Sequence, residues 1–252
     1  MSNDLPIWER SHFQPADGRA FLFYVVYGRF PEELAISGSK YRCAGLPPGF
    51  DLRKLEQSKH GTLPFTEAEY GVILPNAALF ARLGEATECG VLQGEIPNPP
   101  DLNYLRDAVG LTTYLLDNGG FAVADPQQFE LYDAERWHRE IFDSGTPNVC
   151  KHVKILFSDD ENGRWYHTRG LRKFGRPDLS VRGVPKEYCD GTIEMCNRFI
   201  ELQAMGGVIQ EGQEVRMKSL PPGLRCRHAG RLDDPEFNNV HVEIVWPQQN
   251  HP

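Results

Sequence analysis

Between Asp101 and Asn118 the residues Leu102, Leu105, Val109, Thr112, Thr113 and Leu116 recur at three- and four-residue steps, which places them along one face of a helix. Asp101 can cap its start, Asn118-Gly119-Gly120 stops it, and Phe121–Ala124 then reads as a strand. A helix with one apolar face followed by a strand points to a mixed α and β chain, and the mixed order of elements favours α+β over a doubly wound parallel sheet. The pattern returns in Asp190–Met205, where Ile193, Cys196, Phe199, Ile200 and Gln203 share helical spacing and Gly206-Gly207 precedes apolar Val208-Ile209. Leu-Pro-Pro-Gly also occurs twice, at Leu46 and Leu220. These echoes keep open a duplicated αβ unit, although glycine ends helices generally.

The strand signals are short and scattered. Ala20–Tyr27 is rich in aromatic and β-branched residues and reads as a buried strand. Cys89–Gln93 is a second, and Gly71–Leu74 a third, followed by a helix from Pro75 to about Leu83. Glycine and proline break up Phe30 to Tyr70, which reads as connections with helical turns near Pro31–Ala35 and Asp51–Gln57. Asp133–Phe142 is a helix with Asp133 as N-cap. His152–Phe157 and Arg164–Thr168 form a hairpin around Asp159–Gly163. Val215–Met217, Leu224–Cys226 and Asn239–Trp246 make a strand-rich end. The mixed order implies an α+β fold: mostly antiparallel sheet or sheets with helices packed on one face. Residues 1–252 form a single globular domain in this reading, with sub-domains of about 1–145 and 146–252 as the alternative.

Composition narrows the function classes. The chain has 252 residues and a net charge of −8, so non-specific attraction to nucleic acid or to anionic membrane is disfavoured. Met1–Pro15 lacks the apolar core of a secretion signal, and no apolar run approaches membrane-spanning length. The six cysteines are scattered with no Cys-x-x-Cys pair, which fits reduced thiols and a cytoplasmic location. No phosphate-binding or dinucleotide glycine loop supports a nucleotide cofactor, and no His/Cys spacing supports a metal.

The run His167-Thr-Arg-Gly-Leu-Arg-Lys-Phe-Gly-Arg-Pro-Asp-Leu-Ser-Val181 resembles a motif of an uncharacterised bacterial family, the domain of unknown function 4261. The matching residues are Thr168, Gly170, Leu171, Gly175, Pro177, Asp178 and Val181. The similarity extends over about Phe121–Met217 and departs at Gln213, where that family carries Thr or Ser. It implies a mixed fold and relatedness to bacterial proteins, and no catalytic role.

The same run is the densest cationic feature of an acidic chain: Arg164, Arg169, Arg172, Lys173, Arg176 and Arg182, with Asp178 the one acid among them. Arginine forks suit phosphate or carboxylate, and Gly170 and Gly175 let backbone N–H groups approach an anion. Arg169, Arg172, Lys173 and Arg176 are therefore the candidate contacts for a small anion or a protein partner. In that reading Arg169, Arg172 and Arg176 project outward while Leu171 and Phe174 anchor the turn. The bland alternative is a glycine-shaped turn whose cations pair with acids elsewhere. A second set, His167, Asp178, His228, His241 and Glu243, could supply a general base with an orienting carboxylate for a hydrolase-like enzyme. His241 and Glu243 stand two apart on a strand and so share a face. Cys150 before Lys151-His152 is a weaker nucleophile candidate, and Asp159–Gly163 a turn rather than a calcium loop. The sequence thus points to a cytosolic binding or interaction protein, with the His/carboxylate enzyme as the competing reading.

Overall fold

The computed structural model describes residues 5–246 except 32, 34, 73, 75 and 235. The first sheet contains β1 (Arg19–Gly28), β2 (Phe50–Glu56), β3 (Glu88–Pro97), β4 (Gly120–Asp125) and β5 (Glu130–Asp133) in the order β2-β3-β1-β4-β5, all antiparallel. The helices are α1 (Gly38–Tyr41), α2 (Gln57–His60), α3 (Ala77–Leu83), α4 (Asn103–Asp117), α5 (Ala134–Trp137) and α6 (Cys189–Ala204). Leu22, Tyr24 and Val26 of β1 face α4, while Val25 and Tyr27 face α3 together with Leu63 and Leu74. Covered on both faces, β1 has no need of polar alternation, which explains its continuous apolar run. α4 is enclosed further: every residue from Tyr104 to Leu116 is buried, including an Arg106–Asp107 pair at 2.8 Å. Thr113 donates its hydroxyl to Val109 O and accepts from Trp137 Nε1, so this polar position is satisfied inside the core.

The second sheet contains β6 (Lys154–Asp160), β7 (Gly163–Arg169), β8 (Asp178–Val184), β9 (Glu214–Val215), β10 (Leu224–Ala229) and β11 (His241–Val245) in the order β6-β7-β8-β11-β10-β9. β8 and β11 run parallel and the other neighbours antiparallel. α6 lies over β7 and β8 and buries Thr192, Met195, Cys196, Ile200 and Gln203. Ile193, expected on that face, is exposed instead. One apolar cluster runs from Leu22 and Tyr24 of the first sheet to Tyr166, Leu179 and Val181 of the second. The architecture is α+β, with two mostly antiparallel sheets. The two halves are not repeats of one winding: the first sheet places its earliest strand at the centre, and the second places its earliest strand at an edge. Val208-Ile209 forms no strand after the second glycine pair, so the echo ends at the helix stop.

Two local expectations are corrected. Asp51–Gln57 is not a helical turn, because Phe50–Glu56 pairs along its whole length with β3. Leu52 and Leu55 mimic helical spacing, but the alternative hydrogen-bond partner lies in a distant segment. Of the strand expected at Gly71–Leu74, Gly71 and Val72 belong instead to a 3₁₀ turn, Ala68–Val72, and residue 73 lies outside the described residues. The turn expected at Pro31–Ala35 falls partly outside the described residues, and helix forms at Gly38–Tyr41. Among the described residues no helix is long and apolar enough to cross a membrane.

The halves are joined by an N-terminal arm and by a turn between β7 and β8. Along the arm, the Leu102 N–H donates to Trp8 O, His12 N–H to Met205 O and Gln14 N–H to Gly206 O. Gly18 and Gly175 touch backbone to backbone, and a Cβ on Gly18 would collide with the Gly175 carbonyl oxygen. The β7–β8 turn, a 3₁₀ turn at Leu171–Phe174, packs on β1. Leu171 and Phe174 are its buried anchors.

Candidate functional site

The cations of the β7–β8 turn do not project. Arg169, Lys173 and Arg176 are buried and Arg172 is half-buried, which corrects the expectation of an outward arginine surface. The Lys173 ammonium is enclosed against Asp125 of β4 and donates to His152 O at 3.0 Å. Gln128 Nε2 reaches the same Asp125 at 3.0 Å and the Tyr132 hydroxyl at 2.8 Å. Burial pushes the Asp125 carboxyl up and the Lys173 ammonium down, since each loses its hydration.

Arg176 shows what the turn does. Nε donates to Gly207 O, Nη1 to Asn98 Oδ1 and Gly175 O, and Nη2 to Gln14 O and Gly206 O, all within 2.7–3.1 Å. A guanidinium has five N–H donors, so none is left for a ligand. Arg10 repeats the pattern, donating to Ala204 O, Pro99 O, Phe174 O and Gln203 O. The two arginines thereby satisfy carbonyl groups at the C-terminal end of α6 and place positive charge where the helix dipole is negative. Burial, and then the like charge of Arg10, lowers Arg176 to about 10. Arg169 and Arg172 hold a different segment, the strap of residues 230–240 between β10 and β11. Arg169 Nη1 donates to Glu236 O, and Arg172 Nη1 donates to Asn238 O at 3.1 Å. The motif loop is an internal clamp.

Of the histidine and carboxylate set, the fold brings His228 and His241 to one cleft and leaves the rest outside it. The cleft has a volume of about 630 Å³ and lies between the arm and the second sheet. Val208, Ile209, Pro177, Leu232 and Val240 form its apolar lining, with Arg176, Asn239 and the paired Arg19–Glu95 as polar boundary. His228 Nε2 is 2.9 Å from Ile209 O, which directs that edge of the ring to the protein. The His241 ring stacks on Phe237 of the strap at 4.2 Å, and burial lowers its basicity. His167 sits instead in an aromatic row, 4.1 Å from Trp165 and edge-on to Phe237. Burial, then Arg169 and Arg182, lowers it to about 4, so it is neutral near neutral pH. Asp178 is wholly buried and accepts from Thr168 Oγ1, Asn239 Nδ2 and Leu171 N–H. Burial raises it to about 6 although those three donors favour the carboxylate. Glu243 shares the open face of β11 with His241 and is paired with Arg227. Among the described residues no cleft histidine ring is hydrogen-bonded to a carboxylate; the His228 backbone N–H alone donates to one, Glu211.

No family model, no curated protein and no solved structure matches the chain.

Other chemistry-bearing residues are dispersed. Among the described residues no three His, Cys, Asp or Glu side chains are grouped to hold a metal ion. Cys150 borders a second cleft with Glu201, whose Oε1 lies 3.8 Å from the sulfur. Burial and that carboxylate raise the thiol, the opposite of what an activated nucleophile needs. The residues that sequence reasoning missed are Arg10, Asp125, Val208 and Ile209. Arg10 stands in an unpatterned N-terminal segment, so nothing announces it. Asp125 carries a readable signal, an acid closing the apolar strand Phe121–Ala124 ahead of Pro126.

Proposed function

We propose that the protein is a binding module that takes a small, largely apolar ligand with one polar end into the cleft between the arm and the second sheet. The observation that carries this reading is the cleft itself: its 630 Å³ falls in the range of small-molecule sites, and its apolar walls carry a few convergent polar groups. His228 lines the cleft with one ring nitrogen held by Ile209 O, which leaves its other nitrogen as the polar contact this reading gives to an occupant. The earlier anion reading moves away from the arginine turn, because the donors of Arg176 are already taken by five acceptors. The hydrolase-like alternative requires a base oriented by a carboxylate, and Asp178 and Glu243 are committed to other partners. The motif likeness to the uncharacterised bacterial family adds no ligand to this proposal.

The test uses the fluorescent apolar anion anilinonaphthalene sulfonate on the folded chain. Val240 is partly exposed on the cleft rim, so Val240→Trp should fill the space without disturbing the core. The dye should bind wild type near one equivalent and bind Val240→Trp at least tenfold more weakly, with unchanged circular dichroism. Equal binding by both proteins would place the dye elsewhere and remove the cleft reading.

A further inference from the structure

The cleft between the arm and the second sheet is lined by side chains of both polarities, and their existing bonds decide which polarity an occupant meets. Arg176 has its donors on Gly207 O, Asn98 Oδ1, Gly175 O, Gln14 O and Gly206 O. Arg19 is tied to Glu95 at 2.8 Å and stands exposed at the boundary, so its charge is already balanced. These are the cations that an anionic ligand would need.

Two other groups of the lining keep acceptors. His228 Nε2 lies 2.9 Å from Ile209 O. A carbonyl oxygen only accepts, so that nitrogen carries the ring proton, and Nδ1 of the neutral ring is left with a lone pair. Asn239, near the end of the strap, is held by the motif turn: Nδ2 donates to Arg176 O at 2.9 Å and to Asp178 Oδ2 at 2.8 Å. Both partners are acceptors, so the amide has one orientation and its two N–H groups are taken. Asn239 Oδ1 has no hydrogen-bond partner among the described residues, and it is not one of the fully enclosed polar atoms. In a residue only 3% exposed that lines the cleft, the space this oxygen touches is the cleft. The buried Asp178 carboxylate thus sets which end of the amide an occupant meets.

We infer that the cleft selects ligands whose polar end donates hydrogen bonds, an alcohol or an amine on an apolar body, with His228 and Asn239 as the residues that determine this specificity. The inference rests on the cleft being the binding site, as proposed above. A carboxylate or phosphate end would face two acceptors and find the Arg176 donors occupied. An ether would strip water from both acceptors and return no donor to them. A site that hydrogen-bonds a hydroxyl rejects the analogue lacking it far more strongly than an apolar wall rejects one extra methyl group. Val208, Ile209, Leu232 and Val240 take the apolar body in either case, so discrimination falls to the head group.

Titration calorimetry of the full chain at neutral pH tests this with naphthol, naphthylmethylamine, methoxynaphthalene and naphthoate, which share one apolar body and differ in the head. Wild type should bind naphthol and naphthylmethylamine at least tenfold more tightly than the ether and the carboxylate. The tighter of the two donors tells an alcohol head from an ammonium head. His228→Phe, at an exposed position, should reduce the lead of naphthol over methoxynaphthalene by at least about threefold and leave the ether's own affinity unchanged. The wild-type series decides the matter even if that variant folds poorly. Equal binding of naphthol and methoxynaphthalene by wild type, or an equal lead of naphthol in His228→Phe, overturns the inference. Val240→Trp keeps that failure apart from failure of the cleft itself. If it weakens all four ligands while wild type binds naphthol and the ether equally, the cleft is the site and only the selectivity falls. If Val240→Trp binds all four as wild type does, or wild type binds none, the cleft reading falls and takes this inference with it.

Discussion

Replacing Lys173 with Met should be the most damaging single change in the core. The ammonium is fully enclosed and makes two contacts, the Asp125 carboxylate and the His152 carbonyl. Removing one partner of a buried ion pair strands the other, at a cost of about 3–5 kcal/mol. The lost donor to the His152 carbonyl adds about 1 kcal/mol. The expected loss is therefore about 4–6 kcal/mol, a large part of the 5–15 kcal/mol that holds a typical domain together. Asp125 accepts from Gln127 N–H at one oxygen and from Gln128 Nε2 at the other, so a neutral Asn there keeps one of the two bonds and strands no charge. Lys173→Met with Asp125→Asn should consequently recover at least about 2 kcal/mol relative to Lys173→Met alone. Urea unfolding followed by tryptophan fluorescence and by circular dichroism gives all four corners of the cycle. A Lys173→Met cost below about 1 kcal/mol, or a double mutant equal to the sum of the singles, would refute the buried-pair account.

His152 is buried, and desolvation followed by the nearby Lys173 charge lowers it to about 3. Its contribution is complete above the unfolded value near 6.5 and is lost as pH falls toward 3, at up to about 1.4 kcal/mol per pH unit. Asp178, raised to about 6 by burial, acts with the opposite sign between its unfolded value of 3.8 and 6. Urea midpoints of wild type and His152→Gln measured from pH 7 to 4 separate the two, and a variant with the wild-type slope would exclude His152 as the acid-sensitive group. Gly18→Ala should cost more than about 2 kcal/mol through its clash with Gly175, whereas Gly84→Ala, whose nearest neighbour would be at 3.5 Å with φ −63°, should change stability by less than about 1 kcal/mol. Thermal melts of the two variants check this, and similar shifts would show that the arm does not need close backbone contact.

The elements with strong internal periodicity were legible: α4, α6, β1 and the β6–β7 hairpin occur where spacing and turn chemistry place them. β2 was not, because Leu52 and Leu55 three apart imitate a helix and its pairing partner β3 is more than thirty residues away. Gly71 and Val72, part of a 3₁₀ turn, were misread for the converse reason, since a short apolar run carries no period of its own. The arginine turn was legible as a feature and illegible in its role. Its acceptors are backbone carbonyls of Gln14, Gly175, Gly206, Gly207 and others, and every residue has a carbonyl. A search for partner acids among the side chains therefore leaves the cations looking free. The cleft was half visible: His228 and His241 were named, but its walls come from Val208, Ile209, Leu232 and Val240, which no motif connects.

The clamp of Arg10 and Arg176 on the end of α6 sets an order on synthesis. Arg10 leaves the ribosome first, and its acceptors at Gln203 and Ala204 follow almost two hundred residues later. At about 5–20 residues per second the arm waits roughly 10–40 seconds for them. During most of that interval its partners are those of the first half, Asn103 and Leu102 for Trp8 and Pro99 O for Arg10, with Phe174 O added later. The first half must therefore hold a cationic, half-docked arm in readiness. A nascent chain halted before residue 203 should expose Arg10 to protease, and one extended past residue 207 should shield it.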